Sequence, residues 1–353
     1  MGVAAAPLLA MPGILNAQPA GKYIGGVQQN GQNYAVIVDI RGEVILKEPL
    51  PSRGHGAAID VKHGQCVIFA RRPDQFALVI DMNTNRPMQM FNCPANRHFY
   101  GHGFFSPDGE YLYATENDFD AERGVIGVYA AREGFARVAE LDCFGIGCHE
   151  AILMSDGLTI AVANGGIATH PNYPRQKLNL PTMKSSLAYI NRITGNLISQ
   201  VFLPQDLYQL SVRHLVEGPN KVIFFGGQLQ VTDGEFSQLI GHHTQGGGIE
   251  FVWLPEDLNH QLKQYTGSIT ANHDKSVIAV SCPRGDRLLM VDANSGELIE
   301  THELNDVCGV AENGTGFMVS NGDGALISNL GPDVRQFNWS WDNHLSFMPS
   351  PVL

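Results

Sequence analysis

Basic side chains are scarce in this chain: 23 lysines and arginines stand against 35 aspartates and glutamates, a formal net charge of -12. Proteins that grip nucleic acid neutralise phosphates with a basic stripe. None is present, which argues against DNA or RNA as a partner. Charged residues make up only 16% of the chain and form no block of one sign, so no disordered charged tail is expected. Long apolar runs are missing after the first twenty residues, and no membrane span is expected in the mature chain. The six cysteines fit no CxxC zinc pattern. Cys143 and Cys148 are the nearest pair, but spacing does not fix connectivity. Tryptophan is limited to Trp253, Trp339 and Trp341, which argues against a stacked planar quinone cofactor. P-loop, dinucleotide, HExxH and nucleophile-elbow motifs are all absent.

What is present is apolar sequence broken by turns: 44% hydrophobic residues with 39 glycines and 19 prolines. Residues 1–20, "MGVAAAPLLAMPGILNAQPA", carry no charge and end in small residues. They are expected to be an export signal lacking its basic start, which predicts a periplasmic protein. Residues 21–353 are expected to form one domain. Short β-branched and aromatic runs such as "YAVIVDI", "FALVIDM", "LTIAVAN" and "RLLMVDA" recur between Gly, Asn, Asp and Pro turns, and read as strands. Their order is a turn, a strand, a loop, a strand ending in Asp or Asn, and a "TG" or "SG" turn. It predicts an all-β, seven-bladed β-propeller with four strands per blade. Only one strand's worth of sequence follows His344, so N- and C-terminal strands are expected to close the ring within one blade.

The innermost strands align as "RGHGAAID", "YGHGFFSPDG", "GCHEAILMSDG", "VRHLVEG", "TGSITANHD", "VCGVAEN" and "DNHLSFM". One slot then holds His55, His102, His149, His214, Ser268, Cys308 and His344, spaced near the roughly 40–50 residues of known blades. First strands line a propeller's channel, so five imidazoles are expected to converge on one mouth, with glycines beside His55 and His102 permitting close approach. Imidazole suits iron, copper, zinc or nickel. Glu150, Arg213 and Asp342 are candidate partners that orient the rings. Strict alternation along a strand sends Glu150 away from His149, which argues against a His–Glu dyad. The longest polar loops are expected over the same mouth. They offer Glu116, Asn117, Asp118, Asn164, His170, Arg175, Lys177, His242 and Arg284 as ligand contacts, with Cys308 in its own slot. Met82, Met88 and Met90 hint at copper but fit packing better.

The stretches "RGHG", "YGHGFFSPDGEYLYATEND", "GIGCHEAIL", "VANGGIATHPNYPRQKLNLPTMKSSLAYI", "LSVRHL", "DVCGVA" and "WDNHL" resemble the bacterial family called domain of unknown function 1513. That resemblance implies an exported YVTN or quinoprotein-amine-dehydrogenase-like propeller. It also implies a gene neighbourhood of imelysin-like and di-haem peroxidase-like iron-uptake proteins, which become candidate partners. The twin-arginine signal common in the family is absent here, and the family supplies no catalytic residues. The leading expectation is a non-catalytic periplasmic propeller that binds iron or copper, or a metal-bearing partner, in iron handling. Two alternatives stay open: a metal-dependent redox enzyme or lyase, and a metal-free interaction scaffold.

Overall fold

A computed structural model describes residues 21–173, 176–230 and 238–350. Twenty-eight strands form seven four-stranded antiparallel sheets. Six blades follow the chain in order, over residues 54–92, 97–142, 148–202, 210–251, 268–303 and 307–336. The seventh pairs the last strand, Ser340–Pro349, with Gly21–Gln29, Gln32–Asp39 and Val44–Leu50. The ring therefore closes through strands from both ends of the chain, as the sequence predicts. Residues 1–20, where the export signal is expected, lie outside the described residues.

Turn chemistry fixes the register of the blades. Asp39, Asp81, Asn191 and Asp292 end third strands, and each side chain accepts hydrogen bonds from backbone N–H groups in the turn that follows. Asp156 and Asp274 do the same between first and second strands. Second and third strands carry fully buried runs such as Val67–Ala70, Ile160–Ala163 and Ile278–Val280, since both faces of a blade are covered by neighbours. Outer strands such as Arg86–Asn92 are largely exposed.

Irregularities cluster along the axis. In six of the seven blades the innermost strand loses register with its neighbour where the histidine slot falls. The breaks lie between Gly54 and Ala57, Phe99 and Gly103, Cys148 and Glu150, Val212 and His214, and Val307 and Val310. In the closing blade it lies opposite Gly25 to Val27, at Trp341 to Leu345. Ser268–Ala271 pairs without such a break. A bulge bends its strand and re-aims side chains, and bulges favour rims and functional sites.

Candidate metal centre

The bulges turn His55, His102, His149, His214 and His344 toward one another. Ring centroids lie 4.3 Å apart for His55 and His344, 4.6 Å for His214 and His344, 4.7 Å for His102 and His344, and 4.8 Å for His149 and His214. The backbone permits this only because two neighbours lack a Cβ. Gly101 has φ +102°, and a methyl there would strike the His55 ring; one on Gly56 would lie 2.8 Å from the Gly101 carbonyl and 3.0 Å from His102 Nδ1.

Two carboxylates set the tautomers. Asp342 Oδ1 lies 2.8 Å from His55 Nδ1, and Asp342 also binds Arg53 Nε at 3.0 Å. Glu150 Oε2 lies 3.2 Å from His214 Nδ1 and accepts the Leu215 N–H at 3.0 Å, while Oε1 lies 3.3 Å from His102 Nδ1. Burial opposes ionisation of both acids. The imidazole contacts outweigh it, with Arg71 and Arg53 assisting at Asp342, and hold both below the usual carboxylate range. Each carboxylate thus takes an Nδ1–H and leaves Nε2 with its lone pair. Nε2 of His102 and Nε2 of His344 are buried without a hydrogen-bond partner among the described residues. Buried polar atoms rarely go unpaired, and these two keep their lone pairs uncommitted among the described residues. Burial pushes His55 down to about 3 and lowers His149, His214 and His344, which keeps these rings neutral, as metal ligation needs.

His149 differs from the rest. Arg213 Nη1 lies 3.3 Å from its Nδ1. Guanidinium only donates, so Nδ1 accepts and the proton of the neutral ring sits on Nε2. His102, His214 and His344 form one set whose ligand atoms all lie within 4.8 Å; His55, His102 and His149 form another. The first suits a cation better, because a shared carboxylate presents two of its lone pairs. A cleft of about 390 Å³ adjoins it, lined by His102, Glu150, Ser268, His344 and the small residues Ala57, Gly103 and Ala311. Ser268 stands where another imidazole would fill the ring.

The remaining expected residues divide. His170 lines an upper cleft with Arg53, Arg71, Arg72 and His98. Burial and then the charges of Arg213, Arg284 and Arg72 lower the Lys177 pKa, which puts those three guanidinium groups within electrostatic reach of Lys177. Arg175 lies outside the described residues. Glu116, Asn117 and Asp118 do not form a loop, because the second strand runs through Asp118. Glu116 is fully buried and bonds Tyr129 and Arg137; Asp118 pairs with Arg97 and Arg123; Asn117 bonds His98 and Thr169. Asn164 donates to the Cys143 carbonyl inside its blade. His242 is the penultimate residue of the short strand Ile240–His243 and packs on Phe224, at the rim opposite the long loops. Cys308 is buried with its thiol toward the Asp306 carbonyl, outside both imidazole sets. Cys143 and Cys148 form a disulfide just before His149. Glu150, expected as a ring-orienting partner, bonds His102 and His214; what the structure corrects is strict alternation, because the register break at His149 lets His149 and Glu150 both face the axis.

Residues 48–348 match the family described as protein of unknown function DUF1513. The chain belongs to that family. No curated protein matches the sequence. Among solved structures, Kuenenia stuttgartiensis hydrazine synthase is similar at 14% identity and a TM-score of 0.60, over 83% of this chain and 87% of that one. At that identity the likeness shows the fold alone.

Proposed function

We propose that this propeller is a periplasmic metal-binding protein that holds one transition ion, iron or copper, at the axial histidines and serves iron uptake or handling. The observation that carries the reading is the pair of carboxylate-oriented rings, His102 and His214, set beside His344, with the Nε2 atoms of His102 and His344 buried and without partners among the described residues. His102, His214 and His344 are the proposed ligands, with His55 completing the set. An all-imidazole donor set suits iron, copper, zinc or nickel rather than magnesium or calcium. The disulfide beside His149 supports export, since such bonds persist in oxidising compartments. The family's iron-uptake neighbourhood supports iron, and imelysin-like or di-haem peroxidase-like proteins are the partners to test.

Elemental analysis of protein matured in the periplasm tests the reading. Wild type is expected to carry about one transition ion per chain. His102→Ala with His344→Ala should abolish it, while His149→Ala should retain most of it. Equal metal in wild type and the double variant would refute the site.

One observation favours a second reading. The cleft of about 390 Å³ reaches His102 and His344 from the side of Ser268, so a bound ion would keep a face open to a small substrate, as a Lewis-acid or redox site requires. Turnover of a redox dye that disappears on chelation would favour an enzyme.

A further inference from the structure

We propose that the upper mouth of the channel is a receptor for a small, multiply charged oxyanion, held by Arg72, Lys177, Arg213 and Arg284. The inference deepens the reading of the metal centre beneath it, yet its evidence is separate. This acidic protein gathers cations here and leaves them without counter-ions. Arg53 and Arg71 are satisfied by Asp342, at 3.0 Å and 3.6 Å. Arg72, Lys177, Arg213 and Arg284 make no ion pair among the described residues, although most arginines elsewhere in the fold do.

Arg213 carries the argument furthest. It is 8% exposed, and among the described residues its buried Nε has no partner and its one side-chain hydrogen bond is to the His149 ring. A desolvated guanidinium beside a neutral ring is costly unless something anionic arrives. Arg284 lies over the Tyr265 ring at 4.2 Å, and the Tyr265 hydroxyl accepts from Asn343 at 3.1 Å, beside Asp342. This stacking holds the guanidinium at the mouth with its donors uncommitted among the described residues. Arg72 lines the upper cleft of about 660 Å³, where Asp74 is the one acid and is hydrogen-bonded to Ser52. Planar guanidinium forks match carboxylate and phosphate oxygens, which names the chemistry of the ligand as carboxylate or phosphate.

Calorimetric titration of citrate and of inorganic pyrophosphate into the full chain stripped of metal tests the proposal. At least one is expected to bind, more weakly as salt rises, and whichever binds tighter assigns the anion class. Arg213→Gln should weaken binding about tenfold or more. Arg72→Gln with Lys177→Gln and Arg284→Gln, all at exposed positions, should do the same without threatening the fold. The proposal is overturned if neither anion binds at millimolar concentration, or if the triple variant binds like wild type. Metal content measured on the same proteins separates the readings: anion binding without metal leaves this inference standing, and metal without anion binding leaves only the other.

Discussion

Glu150 holds the two halves of the imidazole cluster together. One oxygen faces His102 and the other faces His214. An amide there can accept from only one of the two rings, and its NH2 confronts the other Nδ1. Glu150→Gln is therefore expected to preserve the fold by circular dichroism and weaken metal binding about ten- to a hundredfold, the usual loss for an outer carboxylate partner. Competition with a chelator of known affinity measures it. The histidines were legible in the sequence because one residue type recurs at blade spacing in distant stretches. Glu150 was legible as a ring-orienting partner, but that it faces the axis together with His149 was not, because strict alternation assigns neighbours to opposite faces. A bulge cancels that rule, and the residues around His149 carry no local mark of one.

At the scale of the strand, the loop expectation at "TENDFDAERG" failed for a related reason. Polar residues at a strand end look like a loop when their partners lie far off in sequence. Here Glu116 and Asp118 meet Arg97, Arg123 and Arg137, with Glu140 tying the last three together. The network sits inside one blade and stabilises its packing. Removing Arg137 leaves the fully buried Glu116 short of its main counter-charge. Arg137→Ala should cost about 3 kcal/mol in urea unfolding, and adding Glu116→Gln should recover much of the loss. Metal content should not change in either variant. The strands themselves were legible because each buried run ends in a turn whose Asp or Asn binds the following backbone.

At the scale of the whole molecule, the closing blade makes both ends of the chain interdependent. Its innermost strand, Ser340–Pro349, supplies Asp342 and His344 and covers an edge of Gly21–Gln29. Deleting residues 340–350 exposes that edge and opens the ring, so the truncated chain is expected to aggregate or unfold rather than form six stable blades. Sedimentation and circular dichroism of the truncated chain check this; a monomeric folded product would contradict it. Ring closure was legible from the count of strands after His344.

His344 stands on Ser340–Pro349, which is held in place by Gly21–Gln29 from the far end of the described chain, so under the proposed reading a cage that uses His344 would be complete only once those two strands had met. Loading would then report closure of the ring, since an ion that needs all three imidazoles would distinguish the closed propeller from an open one.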